Sequence, residues 1–288
     1  MISIIICGRK NNISPALRNN IQETIGVIHE IIVIDNSKND YSIFAAYNKG
    51  VALSNYDTLC FMHDDLVFES FNWGSIVINQ LEQNNIGAVG VAGSPYYATL
   101  PGAWWSGGLI CQHISGQDDY AYTKIINDSL PVVVLDGLWF CIKKDLFKTI
   151  SFDEINFNGF HYYDMDISLQ IKKLGYDILS LYNITIKHSS GKLDQTWLQN
   201  ALILQKKWAK HLPFTVTKLT YAQEIKIEYG VLAEYLKAMR TNGVNNLKIA
   251  QFALNQVIKY RFKRLRLVSP FLFTAFAFKH FLKKIGLL

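Results

Sequence analysis

Residues 58–65, Thr58-Leu59-Cys60-Phe61-Met62-His63-Asp64-Asp65, are the most informative about the fold, because a largely apolar run passes directly into three polar residues. A continuous run of this kind is typical of a strand that is buried on both faces of a sheet. Residues 2–7 and 30–34 repeat the pattern, and helical stretches at 15–25 and 42–53 separate the three runs. Strand and helix therefore alternate, which predicts an α/β fold with a mostly parallel sheet and flanking helices.

Polar residues follow each of these strands, and in parallel sheets ligands bind outside the carboxyl ends of the strands. The ends carry Cys7 and Arg9, Asp35, and the triplet His63-Asp64-Asp65. Adjacent carboxylates repel each other unless a cation lies between them. The triplet therefore predicts a site for a divalent ion whose open positions take phosphate oxygens. The alternative is a solvated turn whose aspartates cap the following segment.

Two aspartates open a later helix. Asp164 and Asp166 fall near its first turn, where the helix dipole favours anions and capping is common. The functional interpretation is a general base that takes a proton from an attacking hydroxyl group. His188 follows a short strand and, in a chain that already offers an acidic metal site, is a candidate ligand.

Further residues are candidates for holding a nucleotide and a sugar. Asp35 can accept a hydrogen bond from a base N–H or a ribose hydroxyl, and Lys49, beside Asn48 on the next helix, can approach a phosphate. The alternative for the end of this strand is an ordinary turn. Aromatic rings can stack on sugar faces. The acceptor-side candidates are Trp104, Trp105 and Asp136.

Taken in order, these pieces resemble the GT-A-type glycosyltransferases of family 2 over roughly residues 1–195. The resemblance rests on the opening strand, Asp35-Asn36-Ser37 with Asn48-Lys49-Gly50, the His63-Asp64-Asp65 triplet, residues 152–154 followed by 163–169, Gly175-Tyr176 and His188. Residues 42–50 and 60–65 look especially like the branch that includes the streptomycin-biosynthesis StrF-like domains. The resemblance implies a GT-A (Rossmann-like) sheet.

The resemblance also implies roles on the donor side. Asp35, with Cys7 and Arg9, would hold the nucleotide base, and Asp64 would contact the ribose or the donor sugar. Asp65 would bind Mn²⁺ or Mg²⁺ under the diphosphate. Such an enzyme moves a sugar from a nucleotide-sugar donor, with UDP-sugars favoured, to a glycan or lipid-linked acceptor in one inverting displacement.

Two positions depart from the family's pattern. His63 replaces the first Asp of its DxD motif, which makes His63 itself a candidate ligand beside His188, at the family's later metal-binding histidine. Tyr163 replaces the Glu of its Glu-Asp base motif, so both Asp164 and Asp166 stay candidates for the base. A catalytically silent nucleotide- or sugar-binding module is therefore an alternative. A sugar nucleotidyltransferase is another, although residues 8–12 hold few glycines for its phosphate loop.

The charge is divided between two parts of the chain. The whole carries +6, yet eleven Lys and Arg and no Asp or Glu follow Glu234, so the last 54 residues carry +11. This predicts a glycosyltransferase domain at 1–195 and a helical, basic extension at 196–288. Basic residues beside Phe271, Phe273, Phe276 and Phe278 suit an anionic membrane surface, so we expect peripheral contact through residues 244–288. The alternative is a helical subdomain packed on the core. We expect no nucleic-acid partner, because no recognisable motif is present.

The cysteines and the hydropathy exclude other classes of protein. Cys7, Cys60, Cys111 and Cys141 form no CxxC pair, which predicts reduced thiols in the core. The N-terminus has no basic region of the kind that begins a signal peptide. No segment reaches the roughly 18 apolar residues of a membrane span. We therefore expect a cytoplasmic protein, peripheral on the cytoplasmic face of the membrane.

Overall fold

A computed structural model describes residues 1–115, 128–188 and 193–265, with side chains to residue 260. The phenylalanines at 271, 273, 276 and 278 lie outside the described residues. The helices in this part are α1 (Pro15–Thr24), α2 (Ile43–Leu53), α3 (Trp73–Leu81), α4 (Tyr163–Lys173), α5 (Gln195–Trp208), α6 (Tyr221–Thr241) and α7 (Asn246–Leu265), with a 3-10 helix at Lys144–Lys148.

The described strands form one large sheet and three small ones. They are β1 (Ile2–Gly8), β2 (His29–Asp35), β3 (Thr58–Met62), β4 (Val67–Phe68), β5 (Ile86–Gly90), β6 (Ala92–Ser94), β7 (Tyr96–Tyr97), β8 (Cys111–Gln112), β9 (Ile114–Ser115), β10 (Ser129–Val132), β11 (Val134–Leu135), β12 (Trp139–Lys143), β13 (Asp177–Leu181), β14 (Ile186–Lys187) and β15 (Phe214–Thr215).

The large sheet has seven strands in the order β10-β13-β5-β12-β3-β1-β2. Strand β1 pairs in parallel with β2 and β3, and β13 pairs in parallel with β5. Strand β12 is inserted antiparallel between β3 and β5, and β10 runs antiparallel to β13. The expected mostly parallel sheet is confirmed, with two reversed strands that the apolar pattern did not reveal.

The register brings the polar strand ends to one edge. Gly8 of β1 lies opposite Asp35 of β2, and Ile6 lies opposite Met62, the last residue of β3. Because β12 runs the other way, its first residue, Trp139, also lies opposite Met62. Residues 136–138 therefore enter the sheet at the edge where the residues after β3 leave it.

A small sheet brings His188 to the same place. Strand β14 pairs antiparallel with β4, with Lys187 opposite Val67. The residue after Lys187 and the residues before Val67 therefore approach each other. These are His188 and the end of the His63-Asp64-Asp65 triplet.

Local sequence determines where the helices begin and end. Ser42 caps α2, as its position before an apolar stretch predicts, by accepting a hydrogen bond from the Ala45 amide. Helix α4 begins after Tyr162, which has a left-handed φ of 73°, and Gly175 follows its end at φ 90°, as expected for a C′ glycine.

The core is rich in aromatic residues and leaves all four cysteines unpaired. Beneath the edge where the polar strand ends meet, the rings of Tyr47, Phe61, Phe140, Phe152 and Tyr163 pack against one another. Cys60, Cys111 and Cys141 are buried and Cys7 is half-buried, so the expected free thiols are confirmed. No helix in the described part of the chain is both long and apolar enough to cross a bilayer.

Helix α6 is joined to β7 and the residues after it, up to residue 100, by a buried carboxylate. Glu228 is fully buried and accepts hydrogen bonds from the Tyr96 hydroxyl at 2.7 Å and from the amides of Thr99 and Leu100 at 2.8 and 2.9 Å. Burial raises the pKa of Glu228. Helix α7 then packs on α6 through Ile249, among other residues.

Candidate functional site

The three candidate metal ligands, His63, Asp65 and His188, meet at the edge of the sheet where β1, β2 and β3 end. The Nδ1 of His63 lies 3.2 Å from the Nε2 of His188, and that nitrogen lies 3.5 Å from a carboxylate oxygen of Asp65. One potential ligand atom from each residue lies within 4.8 Å of the other two. The side chains that sequence analysis assigned to a metal are therefore brought together.

The donor atoms fit a divalent metal ion. Two ligand atoms about 2.1 Å from one ion and at right angles are about 3 Å apart, close to the two separations observed here. Two imidazoles and one carboxylate leave other coordination positions open for oxygens of a ligand. Burial, followed by the neighbouring imidazole of His188, lowers the pKa of His63, which favours the neutral form able to bind a metal.

Tyr163 links this cluster to the start of α4. Its hydroxyl oxygen lies 3.0 Å from His63 Nε2 and donates to the carbonyl oxygen of Gly137 at 2.9 Å. The amide of Gly137 in turn donates to Asp164 at 2.8 Å. Residues from β3, α4 and the loop before β12 are thus joined in one hydrogen-bonded group.

Arg9 covers the two aspartates that follow β3. Its guanidinium forms a close ion pair with Asp64 and lies 3.7 Å from Asp65. Burial raises the pKa of Asp64, but the hydrogen bonds and charge of Arg9 outweigh it, and the net pKa is lowered. Arg9 is exposed, so its side chain can leave the aspartates when a phosphate or a cation competes for them.

Asp164 is a buried carboxylate beside a second one. Its side chain accepts from the amides of Met165 and Gly137 at 2.9 and 2.8 Å, and the residue is only 7% exposed. Burial, followed by the charge of Asp136, raises the pKa of Asp164 to about 7. A carboxylate with this pKa exchanges its proton near neutral pH, which suits a general base.

Asp166 is held by structural partners instead. Its oxygens accept from the Trp208 indole, Gln170 and Lys207, each at 2.8 Å, and the residue is 1% exposed. Burial raises the pKa of Asp166, although Lys207 opposes the shift. Because its hydrogen-bonding capacity is taken by α4 and α5, little remains for a substrate.

The donor-side candidates differ in what they contact. Asp35 is exposed and accepts from the Ser37 amide at 3.0 Å, while burial raises the pKa of Cys7 to about 11. Lys49 donates to the Tyr41 hydroxyl at 3.1 Å. Asn48 exchanges hydrogen bonds with the main chain of Phe152 at 2.8 and 3.0 Å, which ties α2 to a distant loop.

On the acceptor side, the two tryptophans have different surroundings. Trp104 is buried and donates its indole N–H to Asp136 at 3.1 Å. Trp105 packs edge-to-face on Trp104 with centroids 5.5 Å apart, and it keeps part of its ring exposed. Trp105 is therefore the better placed of the two to present a ring face to a sugar.

Sequence analysis missed the partners that separate these candidates. Lys207 and Trp208 lie 41 and 42 residues from Asp166, and Tyr163 lies 100 residues from His63. Glu228 was also missed. The sequence gives one sign that Glu228 is buried: it lies among apolar positions of α6, between Ile227 and Val231.

Comparison with known proteins agrees with this geometry. The model of a family described as glycosyltransferase-like matches residues 3–211. A search of curated proteins found no match.

Among solved structures, the chain resembles GalNAc-T7 in complex with UDP, GalNAc and Mn²⁺. The identity is 13% and the TM-score 0.53, over 88% of this chain and 54% of that one. The chain thus spans about half the length of that protein. The mannosyltransferase PcManGT of Pyrobaculum calidifontis, in complex with GDP-Man and Mn²⁺, matches with 11% identity and a TM-score of 0.49 over 92% and 80% of the two chains. The GT-A fold class expected from the sequence is confirmed.

Proposed function

The chain belongs to the glycosyltransferase-like family, and from this premise we propose that it transfers a sugar from a nucleotide-sugar donor with inversion. The acceptor is a hydroxyl group of a glycan or of a lipid-linked sugar. Within the family, we place the chain in the StrF-like branch, on the residues 42–50 and 60–65 described above.

One observation carries the proposal. A metal-binding constellation of His63, Asp65 and His188 and a buried carboxylate with a pKa of about 7, Asp164, lie at the same edge of the sheet and are linked through Tyr163. Transfer from a nucleoside diphosphate sugar needs these two functions together. The leaving diphosphate requires positive charge, and the attacking hydroxyl requires a base.

Each residue has a defined task in this scheme. A bound Mn²⁺ or Mg²⁺ ion would supply charge stabilisation for the departing diphosphate. Asp164 takes the proton of the acceptor hydroxyl as that oxygen attacks the anomeric carbon. Asp64 binds the ribose or the donor sugar once Arg9 has moved from it to a phosphate, and Asp35 binds the base of the nucleotide, with uracil favoured.

Donor binding provides the test. Melting temperatures of the full chain are measured with UDP-, GDP-, CMP- and dTDP-sugars, with and without Mn²⁺. We expect one donor to stabilise the protein only with the metal, and Asp65→Ala to remove that stabilisation. The control Asp145→Ala changes an exposed aspartate among residues at the opposite edge of the sheet, and should leave it intact.

Turnover separates an enzyme from a binding module. The donor that stabilises the protein should be hydrolysed slowly, or transferred once an acceptor is supplied, with release of the nucleoside diphosphate. Metal-dependent binding without release of any product would instead support a catalytically silent module. Release of pyrophosphate from a nucleoside triphosphate and a sugar phosphate would support a nucleotidyltransferase.

We also propose that the helical extension at 196–288 meets an anionic membrane from the cytoplasmic side. Leu247, Leu254 and Ile258 form an exposed stripe on α7, on the side opposite the residues that pack against α6. Lys248 and Lys259 are exposed beside this stripe, and each contributes about 1 kcal/mol near an anionic surface.

Sedimentation with vesicles tests this contact. The full chain should sediment with vesicles that contain phosphatidylserine and stay in solution with phosphatidylcholine alone. The double change Leu254→Gln and Ile258→Gln alters exposed positions, so it should reduce sedimentation without lowering the melting temperature. Unchanged sedimentation of this variant would exclude the described part of α7 from the contact.

A further inference from the structure

Tyr163 contacts His63, the carbonyl of Gly137 and the Tyr47 hydroxyl through a single hydroxyl group. Its oxygen lies 3.0 Å from His63 Nε2 and 2.9 Å from the carbonyl oxygen of Gly137. A carbonyl has no proton to donate, whereas the Tyr47 hydroxyl can donate its own, so the Tyr163 proton occupies the bond to Gly137. The bond to His63 therefore uses a proton on Nε2, with the phenol oxygen as acceptor. The other ring nitrogen of His63, Nδ1, keeps its lone pair.

That lone pair belongs to the nitrogen that faces the metal-binding constellation. His63 Nδ1 lies 3.2 Å from His188 Nε2, and Asp65 completes the group within 4.8 Å. Had Nδ1 carried the proton, His63 could not bind a cation there without a change of tautomer. The hydrogen bond at one end of the ring thus determines the chemistry at the other end.

The position of the hydroxyl is fixed by its surroundings. The Tyr163 ring is buried and packs edge-to-face against Phe44 and Tyr47, with centroids 6.2 and 5.4 Å apart. A Cβ atom at position 137 would overlap the Tyr163 hydroxyl, so glycine leaves the space that the hydroxyl occupies. Tyr163 is therefore held in place independently of any bound ligand.

His63 and Tyr163, which both depart from the family's motifs, are the two ends of one hydrogen bond. We propose that Tyr163 is a positioning residue: it holds His63 in the tautomer and orientation that present Nδ1 to a cation shared with His188 and Asp65. Two imidazoles and one carboxylate suit first-row transition ions better than Mg²⁺, which prefers oxygen ligands. The site therefore selects Mn²⁺ and Co²⁺ over Mg²⁺. This inference rests on the proposed function, because it presupposes the metal site.

Removal of one oxygen atom is the first test. Tyr163→Phe keeps the ring and removes the hydroxyl, and Mn²⁺ binding to the full chain is measured by electron paramagnetic resonance. We expect the affinity for Mn²⁺ to fall about 10- to 100-fold, as for other residues that orient a metal ligand. The control Tyr162→Phe removes the neighbouring buried hydroxyl, which bonds the Gly102 carbonyl, and should change the affinity less than about twofold. Equal effects of the two variants would overturn the proposal.

A second background tests the pairing of the two residues. In His63→Asp, the ligand no longer has a tautomer to fix, so the added change Tyr163→Phe should alter Mn²⁺ affinity less than about twofold. The preference for Mn²⁺ over Mg²⁺ should also fall in His63→Asp. The same loss on Tyr163→Phe in both backgrounds would show that the tyrosine acts on the fold and not through His63.

The unaltered protein offers a test that needs no variant to fold. Nitrogen-15 chemical shifts of the imidazole rings distinguish the two tautomers, and we expect His63 to carry its proton on Nε2 in the metal-free protein. A proton on Nδ1 would overturn the proposal. If the unaltered chain binds no Mn²⁺, or binds it equally well in Asp65→Ala, the metal site itself fails together with this inference. Normal Mn²⁺ binding with no difference between Tyr163→Phe and Tyr162→Phe refutes the positioning role alone.

Discussion

The change Asp164→Asn tests the assignment of the base most directly. Asp164 is buried, and its pKa is raised to about 7 by burial and then by Asp136. The tyrosines around it (47, 97, 162 and 163) have pKa values well above their usual range and are neutral at this pH. An amide cannot take a proton from the acceptor, so the rate should fall by about 10²- to 10⁴-fold.

The raised pKa also predicts how the rate depends on pH. Only the ionised form of Asp164 acts as a base, so with a pKa of about 7 the rate should rise with pH. It should be about one tenth of its maximum at pH 6 and about nine tenths at pH 8. Asp136→Asn removes a neighbouring negative charge, which lowers the pKa of Asp164 and moves the acidic part of the profile to lower pH.

Stability should change with pH in the opposite direction. A carboxyl group whose pKa is raised from 3.8 to about 7 on folding stabilises the protein fully below pH 3.8 and loses that contribution as the pH rises through 7. The amount lost is on the order of 4 kcal/mol. Asp164→Asn has no charge to bury, so its free energy of unfolding should decline less than that of the unaltered protein between pH 5 and pH 8.

The assay measures release of nucleoside diphosphate from the stabilising donor in single turnovers, with water or an added acceptor as the nucleophile. Urea unfolding at pH 5 and pH 8 gives the stability, and Asp145→Asn, an exposed aspartate, is the control. A rate that stays constant between pH 6 and 8, together with retained turnover in Asp164→Asn, would refute the role of Asp164.

Three further changes test individual contacts. Asp166→Asn places an amide NH₂ group opposite donors from α4 and α5, so the free energy of unfolding should fall by about 1–3 kcal/mol while turnover per folded molecule stays close to normal; a specific loss of turnover would move the base to Asp166. Glu228→Gln places an amide NH₂ group opposite donors, which should cost about 1–3 kcal/mol in urea unfolding, and an unchanged midpoint would contradict its buried hydrogen bonds. Gly50→Ala places a methyl group where it overlaps the side chain of Ile5. The free energy of unfolding should therefore fall by about 1–3 kcal/mol, which a lower melting temperature would show, although alanine favours the helix.

The sequence predicts where the polar strand ends meet, because parallel strands have a simple geometry. Buried parallel strands that end in polar residues place those residues at one edge, so the sequence alone groups Asp35 with His63. Strand β12 was not foreseen as antiparallel, because a five-residue apolar run carries no sign of its direction. His188 was a candidate ligand by its residue type and by the family resemblance, but the pairing of two-residue strands that brings it to this place is too short to show a pattern in the sequence.

The local sequence does not distinguish Asp164 from Asp166 as the candidate general base. They lie two residues apart on one helix, and both are acidic residues near its start. The difference between them arises from partners far along the chain: Asp136 beside Asp164, and Lys207 with Trp208 around Asp166. Tertiary contacts of this kind decide the pKa and the hydrogen bonds of a side chain, and no short motif contains them.

The contacts of Asp166 with α5 determine how short a fragment of this chain can be and still fold on its own. A fragment that ended at residue 195, the boundary suggested by the sequence motifs, would contain a carboxylate that is 1% exposed in the intact chain and would have lost both Lys207 and Trp208. Helix α4, which also carries Tyr163 and Asp164, would then contain near its start a buried carboxylate without its two partners from α5. The shortest part of the chain that can support the proposed chemistry therefore extends at least through Trp208, because truncation before that point removes residues that hold the start of α4 in place.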